Sequence, residues 1–196
     1  MSRPVLLALL GLMLAALLSL AVGSVFVPPL EVWRALRGAA ASETFHTIVV
    51  DIRLPRTVLM ALVGAALAAS GAAYQGLFRN PLADPYLIGV ASGAALGAVV
   101  AMSVRWPYTA LGLLAIPMSS FALALLTVYV VYSFARVGGS VPTTNLILAG
   151  VAVSSFATSL TSFLMLRSTG EVRRALGWLL GGVSLVGWDV ALALVP

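Results

Sequence analysis

Residues 57–104 read TVLMALVGAALAASGAAYQGLFRNPLADPYLIGVASGAALGAVVAMSV and decide the fold class. Two runs within this stretch, 57–78 and 85–104, contain no charged residue, and a short connection with Arg79 and Asp84 joins them. A helix rises 1.5 Å per residue, so about 20 apolar residues cross the roughly 30 Å hydrocarbon core of a bilayer. Each run is therefore long enough to span a membrane, and the connection predicts a hairpin of two neighbouring transmembrane helices.

Three further uncharged runs of membrane length surround this hairpin, at 5–27, 109–135 and 145–166. A Gly-Gly-Ser-Val-Pro segment at 138–142 separates the last two and is typical of a turn. A sixth apolar segment begins near residue 188. We therefore predict an all-α fold, a polytopic transmembrane helix bundle with five complete spans plus the start of a sixth, which forms a single transmembrane domain over 1–196.

The first run has a second interpretation. Arg3 precedes it, and Ala21-Val22-Gly23 is a small-residue sequence of the kind that signal peptidase cleaves, so the run also fits a secretory signal peptide. The apolar core of a signal peptide is roughly 7–15 residues long, and this run is longer. A retained membrane helix is therefore the preferred interpretation.

The composition excludes a soluble globular enzyme. Hydrophobic residues make up 61% of the 196 residues and charged residues only 9%, against roughly a quarter in soluble domains. The net charge of +5 comes from 11 arginines, of which only Arg173 and Arg174 are adjacent, so the sequence has no basic patch for nucleic acid. With no cysteine and one histidine, we expect neither a disulfide nor a metal site.

The uncharged interiors of the spans also argue against a self-powered carrier. Proton- or ion-coupled carriers use ionisable side chains within the membrane, and none lies mid-span here. The sequence has no P-loop, HExxH or GxGxxG motif and no carboxylate pair, so we name no catalytic residue and no directly bound cofactor. Any energy for transport is therefore expected to come from another subunit.

The polar segment between the first two spans predicts a loop in water with an interfacial helix. Residues 28–52 carry three acids, two arginines and the single histidine. Pro28-Pro29 ends the preceding helix because proline cannot continue it. Residues 30–37 then follow an amphipathic pattern that suits a short helix lying in the membrane interface.

Small residues recur every four positions on three spans. Gly89, Gly93 and Gly97 form a doubled GxxxG motif on the third span, while Gly64 and Gly150 begin similar rows on the second and fifth. Such rows let helix backbones approach closely in lipid, where hydrophobic attraction between helices is weak. We expect these glycines to hold the helices in a compact bundle, although Gly and Ala are also simply common in membrane helices.

The connection Arg79-Asn80-Pro81-Leu82-Ala83-Asp84-Pro85 fits a tight turn between helices. Asp84 is expected to cap the next helix, because its carboxylate accepts hydrogen bonds from free backbone amides and Pro85 has no amide hydrogen to leave unpaired. Arg79, Asn80, Pro81 and Asp84 are candidates for a functional inner loop. A purely structural hairpin explains the same residues equally well.

Three motifs resemble one transporter family closely. They are DIRLPR at 51–56, GAALAASGAAYQGLFRNPLADP at 64–85 and LIGVASGAALG at 87–97. LILAGV at 146–151 and WLLGGV at 178–183 follow in the family's order. Together these motifs resemble the FecCD-type permeases of bacterial ABC importers for iron-siderophores, haem and cobalamin. The resemblance implies the permease fold of type II ABC importers.

The resemblance also implies a multi-pass protein of the cell (inner or plasma) membrane that moves an iron-siderophore, haem or cobalamin-type chelate into the cytoplasm. Its implied partners are membrane lipid, a second permease copy in a dimer, an extracytoplasmic substrate-binding protein and an ABC ATP-binding subunit, which alone uses ATP. The chain resembles the first of two related halves of such permeases, so we expect an amino-terminal part of one. A truncated membrane protein that dimerises without transporting is the alternative.

Individual residues receive roles from the same resemblance. By motif match, Arg53 and Arg56 dock the binding protein, Pro142 and Thr143 form a cytoplasmic gate, and residues 79–84 face the cytoplasm. The simpler alternatives are an arginine anchor at the membrane interface and an ordinary turn. The implied topology, with a cytoplasmic amino terminus, puts three arginines inside and eight outside. The positive-inside rule alone would predict the opposite orientation.

Overall fold

The computed structural model describes residues 2–81, 83–104, 110–167, 172–182 and 187–188. The described part is helical, as predicted, apart from an isolated β-bridge between Val137 and Ser140. A π-helical segment, Thr47–Arg53, joins α3 to α4, and a 3-10 turn, Pro85–Ile88, precedes α5. The α-helices in chain order are α1 Arg3–Ala21, α2 Pro29–Leu36, α3 Glu43–His46, α4 Leu54–Phe78, α5 Val90–Met102, α6 Ala110–Ala135, α7 Thr143–Arg167 and α8 Val172–Leu179.

Within the described residues, four helices are long and apolar enough to cross a membrane. They are Arg3–Ala21, the continuous helix Glu43–Phe78, Leu114–Ala135 and Thr143–Arg167. These helices confirm a multi-pass membrane protein. The predicted spans at 109–135 and 145–166 agree with α6 and α7 to within two residues, and residue 109 lies outside the described residues.

The third predicted span, 85–104, is not one continuous helix in the structure. Its first turn is a 3-10 helix that ends at Gly89, which has a left-handed φ of 83° and interrupts the helix. The remaining helix α5 has 13 residues. At 1.5 Å per residue it is about 20 Å long, shorter than the roughly 30 Å of a hydrocarbon core. The sixth predicted span, beginning near 188, lies outside the described residues beyond Trp188.

Contacts divide the chain into two compact units, Met1–Leu67 with Val183–Pro196 and Ala68–Gly182. In the first unit, α1 ends at Ala21, so the predicted span 5–27 is six residues too long at its carboxyl end. The chain then turns sharply, because the amide of Val27 donates to the carbonyl oxygen of Ala21 (2.9 Å). The core of this unit consists of Leu20, Ala21, Val27, Val32, Ala35 and Val49.

The helix that contains α4 begins well before residue 57, where its span was predicted to start. The hydroxyl of Ser42 caps α3 by accepting a hydrogen bond from the amide of Phe45 (3.2 Å). The chain then stays helical through Thr47–Arg53 with the wider π-helical turn. Pro55 explains the wide turn, since its ring would collide with the carbonyl four residues earlier in a regular α-helix. Residues 43–52 are therefore helical where the sequence predicted a loop in water, whereas α2, Pro29–Leu36, agrees with the short helix predicted at 30–37.

In the second unit, α5 lies against α6 and α7. Its carboxyl half is buried with Ala98, Val99 and Met102 next to Ala175 of α8. The predicted turn at 138–142 is a tight reversal in which Val137 and Ser140 exchange both backbone hydrogen bonds (2.9 and 3.0 Å). Gly138 and Gly139 both have positive φ, as a type I′ turn requires.

Candidate functional site

Arg53, predicted to dock a binding protein, closes the carboxyl end of α1. Its Nη1 donates to the carbonyl oxygen of Leu20 (2.7 Å), and its Nη2 donates to the carbonyl oxygen of Val25. The last four carbonyls of a helix have no partner within the helix, and a cation near them is favoured by the helix dipole. The described contacts therefore give Arg53 a structural role that the sequence did not reveal.

Arg56 lies beside Arg53 at a cavity of about 280 Å³ in the first unit. Both arginines are half-buried. The other lining residues come from the end of α1, the chain after it and the π-helical segment: Ser19, Val22, Gly23, Ser24, Val25, Ile48 and Ile52. The structure thus brings the two predicted docking residues together at one concave surface, with Arg53 turned towards the backbone of the chain after α1.

Two hydroxyl groups connect α1 and α4 next to this cavity. The Oγ of Ser19 lies 2.9 Å from the Oγ1 of Thr57, and this Oγ1 also donates to the carbonyl oxygen of Arg53 (2.9 Å). The guanidinium of Arg53 also lies close to Gly23, where an added Cβ would be 2.6 Å from its Nη2 and would displace the end of this flexible side chain.

The predicted inner loop forms a regular helix ending in the second unit. Arg79 adopts a left-handed φ of 48°, and its amide donates to the carbonyl oxygen of Gly76 (3.3 Å). The amide of Asn80 donates to the carbonyl oxygen of Gln75 (3.2 Å), which completes a Schellman motif. The side chain of Gln75 reaches back to the carbonyl oxygen of Pro81 (3.0 Å), a contact that sequence patterns did not predict.

Asp84 caps the segment after this loop, as the sequence predicted. Its Oδ1 accepts a hydrogen bond from the amide of Tyr86 (2.8 Å), and Pro85 occupies the first turn. The capped element is the 3-10 turn rather than a long α-helix. The loop is therefore fixed at both ends by hydrogen bonds within the chain.

The second unit brings the inner loop and the predicted gate together at a small cavity of about 30 Å³. Asn80 and Asp84 line it from the loop, and Thr143 lines it from the first turn of α7. Pro142 precedes α7 and is exposed next to the glycine turn. The inner loop and the gate were separate predictions from the sequence, whereas in the fold their residues line the same cavity.

Four of the predicted packing glycines lie against backbone or side chains within the second unit. An added Cβ at Gly93 would lie 2.7 Å from the carbonyl oxygen of Leu123 on α6, and one at Gly97 would lie 2.7 Å from the Cα of Ser120. At Gly89 it would meet the Cγ2 of Thr127 at 2.9 Å. These distances are shorter than real Cβ contacts, so only glycine fits.

Gly150 on α7 has the closest approach of this group. An added Cβ there would overlap the carbonyl oxygen of Leu87 in the 3-10 turn and lie 3.2 Å from the Cα of Ile88. Gly64 differs, because none of the described residues lies within 4 Å of a Cβ built on it. The expectation that Gly64 packs helices together does not hold within the described part of the chain.

Hydroxyl groups in the spans mostly bond to their own helix. Thr127 donates to the carbonyl oxygen of Leu123 (2.7 Å), and Thr161 donates to that of Ala157 (2.8 Å). Among the described residues, no group of three or more His, Cys, Asp or Glu side chains is arranged to hold a metal ion. The polar side chains of this part of the chain therefore serve packing and loop geometry in the structure.

Comparisons with known proteins point to one family. The sequence profile of the FecCD transport family matches residues 11–196. The cobalamin import system permease protein BtuC of Halobacterium salinarum is 45% identical over 154 residues, which cover 79% of this chain and 41% of that protein. The uncharacterised ABC transporter permease YvrB of Bacillus subtilis is 39% identical over 193 residues, covering 94% of this chain and 55% of the relative.

Two further comparisons agree in sequence and in fold. The vitamin B12 import system permease BtuC of Salmonella newport is 41% identical over 191 residues, covering 94% of this chain and 54% of that protein. A solved transporter, described as of the metal-chelate ABC type in an inward-facing conformation, superposes with a TM-score of 0.73 at 28% identity. That match covers 98% of this chain and 56% of the transporter chain. The chain thus spans about half the length of the relatives it matches, and it belongs to the FecCD transport family.

Proposed function

We propose that the chain is part of the transmembrane permease of a binding-protein-dependent ABC importer. The observation that supports this most is the family match over residues 11–196, together with relatives named as import permeases. The described helices supply the membrane-spanning part. In this proposal the chain provides the path for the cargo and is not itself an enzyme.

The cargo we propose is a metal chelate of the cobalamin type. Two of the relatives are named for cobalamin or vitamin B12 import, and the solved transporter is described as of the metal-chelate type. Iron-siderophores and haem are the competing chelates within the same family resemblance.

The energy in this proposal comes from a partner, an ABC ATP-binding subunit on the cytoplasmic side. The inferred assembly also contains a second permease copy and an extracytoplasmic substrate-binding protein. Co-purification of the ATP-binding subunit with the complete permease tests the first contact. Uptake of radiolabelled cobalamin into ATP-loaded proteoliposomes containing the assembly, compared with labelled ferric siderophore and haem, tests the cargo.

We expect ATP-dependent accumulation of cobalamin that stops when the ATPase site of the partner is inactivated. Accumulation of only the ferric siderophore or haem would replace the cargo and keep the permease function. If the ATP-binding subunit fails to co-purify and no cargo accumulates, the permease proposal is overturned.

Docking of the binding protein is proposed at the cavity that Arg53 and Arg56 line. Guanidinium groups bind carboxylates in a bidentate geometry. Charge pairs of this kind fix how two proteins align at an interface and raise their association rate. Because Arg53 also closes α1, a substitution there would mix docking with folding. The test therefore uses Arg56, which lines the same cavity. Arg56→Glu is expected to weaken binding of the substrate-binding protein about tenfold or more at low salt, since like charges then meet across the interface.

The salt dependence of that affinity provides the check. Salt screens charges beyond about 10 Å at 0.1 M ionic strength. The difference in binding-protein affinity between Arg56→Glu and the unmodified permease should therefore become smaller as ionic strength rises. Surface plasmon resonance on the reconstituted permease measures it, with Arg136→Glu as a control at an arginine far along the chain. Equal affinities of Arg56→Glu and the unmodified protein across all salt concentrations would contradict docking by Arg56.

The gate proposal rests on the cavity that joins Thr143 to the inner loop. Thr143 and Pro142 are exposed, so in this proposal they face the same residues of the second permease copy when the path is closed. A cysteine at position 143 is expected to crosslink between copies in one nucleotide state and several-fold less in the other. Cysteine at the exposed Ser140 is the matched control. Crosslinking that is insensitive to ATP and vanadate would rule out a gate at Thr143.

A further inference from the structure

The short helix α2 presents a distinct outer face. Leu30, Trp33, Arg34 and Arg37 follow the spacing i, i+3, i+4, i+7 and therefore lie on one side of the helix. Leu30 is 59% exposed and Trp33 54% exposed, and the side chain of Arg34 is 48% exposed. Large apolar side chains and cations thus alternate on a surface that the described chain leaves uncovered. We call these four residues the outer face of α2.

The opposite side of α2 is buried in the core of the first unit. Val32 and Ala35 are completely or almost completely buried there. Glu31 also points inward, where its carboxylate accepts hydrogen bonds from the amide of Ala41 (3.1 Å) and from Nη1 of Arg34 (2.6 Å). These two contacts hold the pKa of Glu31 below its usual value. Glu31 therefore pairs with Arg34 on the outer face, and Arg37 is the outer-face cation that has no acid partner among the described ion pairs.

The guanidinium of Arg37 lies over the ring of Trp33, with its carbon 4.3 Å from the ring centre. This cation–π contact orients both side chains on the outer face. Tryptophan is enriched where membrane meets water, because its ring is apolar and its N–H is a donor. Arginine is also suited to the membrane–water interface. Its methylene groups can lie on apolar surface while its guanidinium donates hydrogen bonds to phosphate oxygens.

The position of α2 along the chain places it near the membrane–water interface. α1 is a membrane-crossing helix that ends at Ala21, and the amide of Val27 returns to the carbonyl oxygen of Ala21 (2.9 Å). α2 begins two residues later, at Pro29, and packs beside Leu20 and Ala21. It therefore lies next to the point where α1 leaves the hydrocarbon core. A helix at this depth with an exposed tryptophan and two arginines meets the lipid headgroups.

We propose that the outer face of α2 binds anionic phospholipid headgroups. The indole of Trp33 and the side chain of Leu30 lie among the headgroups and the upper acyl chains, and Arg34 and Arg37 donate hydrogen bonds to phosphate oxygens. Charge complementarity favours an anionic lipid over a zwitterionic one. The contact fixes the depth and rotation of the first unit. It depends on membrane insertion alone, so it stands or falls independently of cargo and of the ATP-binding partner.

The test uses the complete permease in vesicles of phosphatidylcholine with a fraction of phosphatidylglycerol. Energy transfer from tryptophan to pyrene-labelled phosphatidylglycerol is compared with transfer to pyrene-labelled phosphatidylcholine. Subtracting the signal of the Trp33→Phe variant isolates the contribution of Trp33. We expect transfer to the anionic lipid to exceed transfer to phosphatidylcholine, and acrylamide dissolved in the water to quench Trp33 weakly.

Arg37 is the informative substitution, because removing it leaves the Glu31–Arg34 pair intact. Arg37→Gln should lower the preference for the anionic lipid about fivefold, the effect of one basic residue near an anionic surface. Arg37→Lys keeps the charge and should retain most of the preference. The proposal is overturned if acrylamide quenches Trp33 like free tryptophan, which indicates that water surrounds this face. It is also overturned if transfer to both lipids is equal and unaffected by Arg37→Gln.

Discussion

Replacing Gly150 with alanine is expected to destabilise the second unit strongly. The new Cβ would overlap the carbonyl oxygen of Leu87, which belongs to the backbone of the 3-10 turn and cannot rotate away. Overpacking of this kind costs about 1–3 kcal/mol and occasionally more, and a backbone contact puts Gly150→Ala at the upper end. At about 2–4 °C per kcal/mol for a chain of this size, the melting temperature in lipid nanodiscs should fall by roughly 6–12 °C.

Gly64→Ala is the matched control for this change. Gly64 also lies inside a long helix, and within the described residues no atom lies within 4 Å of an added Cβ. Alanine is favoured over glycine in a helix by about 1 kcal/mol, so this variant should melt at the same temperature as the unmodified protein or slightly higher. An equal loss of stability in both variants would contradict the role of the contact between position 150 and the carbonyl of Leu87.

Arg53→Lys is expected to loosen the end of α1 although the charge is unchanged. The planar guanidinium reaches the carbonyls of Leu20 and Val25 with two different nitrogens, and a single ammonium cannot reproduce that fork. Losing one hydrogen bond from a charged donor costs about 1.5–3 kcal/mol. A cysteine placed at Ser24 should therefore react several times faster with a membrane-impermeant maleimide in the Arg53→Lys background.

Arg56→Lys provides the comparison at the neighbouring arginine of the same cavity. If both arginines acted only through charge at a docking surface, neither lysine variant would change maleimide labelling at position 24. Faster labelling with Arg53→Lys alone supports the role of Arg53 at the end of α1. Unchanged labelling in both variants would contradict that role. Docking would then be the remaining proposed role of Arg53.

The carboxyl ends of α6 and α7 match the predicted ends, because a charged residue bounds each apolar run there. α6 ends next to Arg136, and α7 ends at Arg167, both within two residues of the prediction. Burying an arginine in hydrocarbon is costly, so the charge itself marks the end of the span. The cap at Asp84 was also predictable, because capping is a local interaction between a side chain and an amide two residues away.

The errors arose where a local pattern has two outcomes. Gly89 continues the GxxxG spacing of α5 and so appeared to lie inside a helix, yet its left-handed φ ends the 3-10 turn. The polar residues at 43–52 predicted a loop, but Phe45, Ile48 and Val50 pack on the core of the first unit and keep this segment helical. Tertiary packing outweighed local polarity in that segment, as it often outweighs intrinsic propensity.

The candidate site shows the same division between local and distant effects. The motif that contains Arg53 was recognisable, but its hydrogen bond to Leu20 joins residues 33 positions apart. Likewise, Thr143 of the predicted gate and Asn80 of the inner loop meet at one cavity although 63 residues separate them in sequence. No spacing rule predicts such contacts, because they depend on how helices pack.

The sequence by itself determined that this protein crosses a membrane with several helices, since uncharged runs of this length are stable only in lipid. It also contained the motifs of the FecCD transport family. Only the tertiary structure decided that Gly89 separates a 3-10 turn from α5, that Arg53 closes α1, and that the described residues leave the outer face of α2 uncovered. The physical reason is that helix ends leave backbone carbonyls and side chains whose partners come from elsewhere in the chain, and only packing brings those partners together.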